Sequence, residues 1–80
     1  MQIATGSYVG DGTAGRGIPT GNSGSTVLVG IQVAPGGGLF GADFFSTSYP
    51  GFVTLSGADF IVDPAYNAGA TPYEWCAWSE

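Results

Sequence analysis

Residues 26–34, TVLVGIQVA, carry the clearest pattern in the chain. Val27, Val29, Ile31 and Val33 fall on one side of an extended backbone, and Leu28, Gly30 and Gln32 fall on the other. A period of two with β-branched residues on one face predicts a half-buried strand with the valine face inward. Weaker versions recur along the chain. QIATGSYV sets Ile3, Thr5 and Ser7 against Gln2, Ala4 and Tyr8, with a break in step expected at Gly6. A short RGI follows the loop GDGTAG. LFGADFFS places Phe40, Ala42 and Phe44 on one face and Leu39, Asp43 and Phe45 on the other. Both faces of that segment are aromatic, so one is expected to meet a neighbouring subunit. In GFVTLS and ADFIVD, Phe52 and Thr54 oppose Val53 and Leu55, and Phe60 and Val62 oppose Ile61. YEWCAWSE alternates Tyr73, Trp75 and Ala77 with Glu74, Cys76 and Trp78.

Turn chemistry separates these stretches. The chain holds 15 glycines and 5 prolines, enough to interrupt every window of helical length. Six to seven short strands with glycine-rich turns predict an all-β domain, a small antiparallel β-sandwich or barrel spanning residues 1–80 as a single unit. Asp11 between Gly10 and Gly12 reads as a hairpin turn, because Asp-Gly supplies the positive φ that tight turns need.

Composition changes the picture from fold to context. Eighty residues bury a modest share of their surface, and domains this small usually need a disulfide, a metal or a partner. Cys76 is the sole cysteine, which excludes a disulfide within the chain; there is no histidine, and the six acids are scattered. Self-association is the remaining route. Charged residues make up 9% of the chain, and the formal net charge is −5. A surface so poor in charge suits a subunit packed against neighbours. Arg16 is the single cation, so no basic patch exists for nucleic acid or for an anionic membrane surface. No apolar run reaches the roughly 20 residues of a membrane-spanning helix, and the N-terminus does not read as a secretory signal.

Candidate chemistry is thin. GDGTAG lacks the Lys-Ser/Thr pair and following helix of a phosphate loop, and Asp11 alone does not make a calcium loop. Cys76 sits between tryptophans with no base beside it, which predicts an inert buried thiol. Serine chemistry usually needs a His or Lys base, and the chain has neither. No enzyme activity, cofactor or metal is therefore expected. Arg16 pairs either with Asp11 across the hairpin or with an acid on a partner chain. Among the aromatics near the C-terminus, one of Trp75 and Trp78 is expected to fill the core while the other packs at a subunit contact. An exposed aromatic beside Asn67 and Asp63 is the alternative, as a platform for sugar. Arg16, Phe45, Tyr66 and Trp78 are the interface candidates.

GSYVGDGTAGRGI resembles the opening of short structural proteins and modules of tailed bacteriophages, whose pattern runs G-S/T-Y-x-G-N/D-G-x-x-x-R/Q-x-I and then a V-x-V strand. Gly6, Ser7, Tyr8, Gly10, Asp11, Gly12, Arg16 and Ile18 fit, followed by Val27 and Val29. The family closes on a GF-x-V/L strand, an N-x-x-G turn and Y-x-W/Y-x-A-W/F. Here Gly51, Phe52 and Leu55 are followed by Asn67, then Tyr73, Trp75, Ala77 and Trp78. The resemblance spans nearly the whole chain, with a gap in the middle. It implies a virion component of jelly-roll or H-type-lectin-like fold, either a head decoration protein or a tail-fibre module. The implied partners are the major capsid protein or other virion proteins and copies of the chain itself, as a trimer. The ending is also similar to the last strands of H-type lectins, which makes carbohydrate a possible ligand, although no sugar-binding residue carries over.

Overall fold

The computed structural model describes residues 1–34, 42–48 and 51–80. The turn expected at Pro35 and the glycines after it, and the strand positions Leu39 and Phe40, lie outside the described residues. Seven strands are present among the described residues: β1 (Gln2–Val9), β2 (Arg16–Pro19), β3 (Thr26–Val33), β4 (Asp43–Ser46), β5 (Val53–Ser56), β6 (Asp59–Val62) and β7 (Pro72–Ser79). A single 3-10 turn, Pro64–Tyr66, is the only helical element among them. Its start is set by Asp63, whose carboxylate accepts from the Ala65 backbone N–H at 2.9 Å, with Pro64 in the first position.

The strands form two antiparallel sheets packed face to face, a four-stranded one in the order β1-β7-β3-β4 and a three-stranded one in the order β2-β6-β5. Pairing is nested: β1 with β7, β2 with β6, β3 with β4. This is the arrangement of a jelly roll, with β5 added beside β6. Between the sheets lie Tyr8, Ile18, Val29, Ile31, Phe45, Val53, Phe60, Val62, Tyr73, Trp75 and Ala77. Phe60 meets Trp75 edge to face at 5.3 Å between ring centroids, and Tyr8 stacks on Tyr73 at 5.1 Å.

Three local expectations change. First, β1 keeps its alternation through Gly6 without a break. Gly6 lies opposite Trp75, and a Cβ there would come within 2.6 Å of the indole ring. The glycine makes room for a core tryptophan. Second, GDGTAG does not close a hairpin. β1 and β2 belong to different sheets, so the loop crosses from one layer to the other. The partner of β1 is β7, paired residue for residue from Gln2 with Ser79 to Val9 with Pro72. Third, the inward face of β3 is carried by Val29 and Ile31, while Val33 is exposed. A register shift between Thr26 and Leu28 interrupts the alternation at Val27.

Candidate functional site

The interface candidates fall in three places. Around the crossover loop, Gly10 continues the β1–β7 pairing: its N–H donates to the Thr71 carbonyl at 2.8 Å, and its own carbonyl accepts from Ala70 at 2.9 Å. It also runs so close to the 67–68 backbone that a Cβ would stand 2.0 Å from the Ala68 oxygen. Gly12 holds φ +78, the left-handed value expected of it, but in a crossover rather than a hairpin. Asp11 folds back on the loop, with Oδ1 accepting from the Thr13 N–H at 3.0 Å and from the Thr13 hydroxyl at 2.6 Å.

The organiser of this end is Asn67, completely buried. Its Nδ2 donates to Asp11 Oδ1 (2.6 Å) and to the Thr13 carbonyl (2.9 Å). Its Oδ1 accepts from the Asp11 N–H (3.2 Å) and from Arg16 Nη1 (3.1 Å). Arg16 is spent inside the molecule. The same Nη1 donates to the Val9 carbonyl at 2.6 Å, lies 3.8 Å from Asp11 Oδ2, and its guanidinium carbon sits 5.2 Å from the centre of the Tyr8 ring. The expected Arg16–Asp11 pair is therefore present, within one loop. Hydrogen bonds from the Thr13 side chain, the Thr13 backbone and Asn67 hold the Asp11 carboxyl down at about 2. This cluster fixes the chain crossing; its donors and acceptors are turned on one another.

The second place is a groove of about 590 Å³ lined by Ile31, Val33, Asp43, Phe52, Tyr66 and Tyr73, among others. Tyr66 lies half-buried on its wall, edge-on to Phe45 at 5.5 Å and tilted against Phe52 at 6.2 Å. Its hydroxyl donates to Asp43, and burial followed by that carboxylate pushes the phenol up to about 12. The Tyr66 carbonyl in turn accepts from the Tyr8 hydroxyl at 2.5 Å, and burial pushes the Tyr8 phenol up as well. Both phenols remain donors at neutral pH. Phe45, expected at an interface, is instead a core residue. The physical reason is register: Phe45 pairs with Val29, whose side chain points between the sheets. Its neighbour Phe44 takes the outward position and is 46% exposed.

The third place is the outer face of the four-stranded sheet. Trp78 lies there, with Trp75 in the core as the sequence expects of one of the two tryptophans. Ile3, Trp78 and Leu28 form one cross-strand row, and Thr5, Cys76, Gly30 and Phe44 form the next. The Phe44 ring covers Gly30, where a Cβ would approach within 2.6 Å of it, and it reaches Trp78 at 6.2 Å between centroids. Cys76 is buried beneath this layer, and burial pushes its thiol up, as an inert thiol requires. At the end of the face, Gln32 donates to Glu74 at 2.7 Å. The patch is thus apolar across its middle, with its charge at the margin. Phe44, Ile3 and Leu28 are not among the interface candidates that the sequence offers; alternation puts Phe44 and Phe45 on opposite faces but carries no sign of which face is inward.

Among the described residues no three of His, Cys, Asp or Glu come together as a metal-binding group, and no helix is long and apolar enough to cross a membrane. Fold and surface define a small two-sheet β-sandwich with one apolar outer face. Beyond that class, no family model matches the chain, and neither a curated protein nor a solved structure matches it.

Proposed function

We propose that the chain is a structural subunit of a tailed-phage virion, a decoration protein that seats on the head shell and works in several copies. The observation that carries this reading is the apolar outer face, on which Ile3 and Phe44 are exposed and Leu28 and Trp78 half-buried, on a domain whose core is already closed. Monomeric surfaces seldom leave such a patch in water. The resemblance of its opening and closing motifs to phage structural proteins supplies the setting, with the major capsid protein or another virion protein beneath the patch. The mechanism is contact area. Each square ångström of apolar surface removed from water contributes about 25 cal/mol before association costs, and many symmetric copies add avidity against internal pressure. Particles lacking the chain are expected to release their genome at lower temperature, or sooner on chelation, than complete ones. Equal release from both overturns the proposal.

A second reading is favoured by the groove. Phe52, 56% exposed, and Tyr66 present ring surface beside Asp43, which is the combination a tail-fibre module uses to stack on host sugar. A glycan array probed with the assembled protein tests it, and the absence of any bound glycan removes it.

A further inference from the structure

β1 is an edge strand of the four-stranded sheet. The ladder shows which of its backbone groups have no strand partner among the described residues. On β7, Pro72 O accepts from Ala34 and Glu80 N donates to Ser25 O, so even-numbered β7 positions bond toward β3. Thr71 O accepts from Gly10, so odd-numbered positions bond toward β1. The register Gln2–Ser79 through Tyr8–Tyr73 then engages the even-numbered residues of β1. The N–H and C=O groups of Ile3, Thr5, Ser7 and Val9 turn to the open edge. The Arg16 contact fits, since it reaches the Val9 carbonyl from that side.

Edges are normally guarded by Lys, Pro, a bulge or short length. The eight residues of β1 carry no charge, no proline and no register shift. The other sheet's edge strands, β2 and β5, are four residues each, and β2 ends in Pro19. From this difference we infer that β1 pairs antiparallel with β1 of a second copy about a two-fold axis at Gly6, joining two four-stranded sheets into one. Three observations select the second copy as occupant. Pairing about Gly6 sets Ile3 (62% exposed) opposite Val9 (59% exposed) of the other copy, and Thr5 opposite Ser7, so the strand is complementary to itself. None of the six acids lies in β1, so two chains of net charge −5 meet there without opposing carboxylates. Finally, Ile3 begins the row that continues through Trp78 and Leu28, so the pairing makes the apolar outer faces of both copies continuous. About eight backbone hydrogen bonds form; the Val9 carbonyl, with two lone pairs, keeps Arg16 while accepting one of them. This two-fold pair deepens the proposed structural role and takes the place of the three-fold cluster the resemblance implies.

Sedimentation equilibrium of the full chain tests it. The wild type is expected to be a dimer at micromolar concentration. Thr5→Lys is expected to weaken the dimer at least tenfold. Thr5→Pro should do the same, because the N–H it removes faces the open edge and not β7. Far-ultraviolet dichroism checks that both variants fold; if either is unfolded, the cross-link decides. In a Cys76→Ala background, Thr5→Cys mixed with Ser7→Cys is expected to form an intermolecular disulfide faster than either alone, as this register requires. A wild-type monomer, a trimer indifferent to Thr5→Lys, or cross-linking without that preference overturns the inference. The two proposals separate cleanly. A monomer that still seats on shells overturns the pairing alone, and a dimer that does not seat overturns the virion role alone.

Discussion

The two faces of the four-stranded sheet are built from similar residues and have opposite fates. Inward, β7 presents Tyr73, Trp75 and Ala77, all buried against the second sheet. Outward, the same strand presents Glu74, Cys76 and Trp78, and the neighbouring strands add Ile3, Leu28 and Phe44. A tryptophan stands on each face three residues from the other. The inner one meets Phe60 edge to face; the outer one lies between Ile3 and Leu28 with the Phe44 ring beside it, and no second layer covers it among the described residues. Layer count, set by how the chain crosses between sheets, decides which aromatic surface becomes core and which becomes a contact surface. The crossing itself is held by the Asn67 cluster at one end of the sandwich.

The contrast can be broken most forcefully from within. Phe60→Ala removes a fully buried ring from the inner layer and is expected to cost about 3–5 kcal/mol. That is a large part of the roughly 4–12 kcal/mol available to a chain of this length, and urea denaturation measures it. Asn67→Ala leaves the Asp11 N–H and the Thr13 carbonyl without their buried partner and should cost about 1–3 kcal/mol by the same assay. Acid attacks that cluster through Asp11. Its folded carboxyl titrates below the ordinary value near 4, so its stabilising contribution is complete above about pH 4 and is lost as pH falls through about 2. The wild type should lose urea resistance across that window more steeply than Asp11→Asn; equal slopes would remove Asp11 from the account. On the outer face, Phe44→Thr should change the stability of the isolated domain by no more than about 1 kcal/mol while sharply reducing co-sedimentation with shells. A loss as large as that of Phe60→Ala would show the two faces to be energetically alike.

The smallest expected change is a gain. Ala70 holds φ 59 in the turn after Asn67. Ala70→Gly relieves a left-handed alanine at an exposed position and should raise stability by about 0.5–1 kcal/mol, net of glycine's entropy. A thermal melt reads it directly.

Much of this architecture is legible in the sequence. The alternation of β3 and β7 placed Val29, Ile31, Trp75 and Ala77 on shared faces, and the turn residues delimited most of the strands. The hairpin expected at GDGTAG was misplaced because Asp-Gly reports a local positive φ, which Gly12 does have, and is silent on which strand the chain joins next. Asn67 gave little sign of its role, since its partners lie more than 50 residues away in the chain. Phe45 and Phe44 could be told apart only by register against β3.

Sequence by itself determined the strands, their two-sidedness, the poverty of charge and the single cation, because these depend on neighbours one or two residues apart and on composition. The tertiary structure alone decided the nested pairing, the inward choice of Phe45 over Phe44, the internal use of Arg16 and the open edge of β1. Each of these depends on which distant strand comes alongside, and a period of two is satisfied equally well by either face.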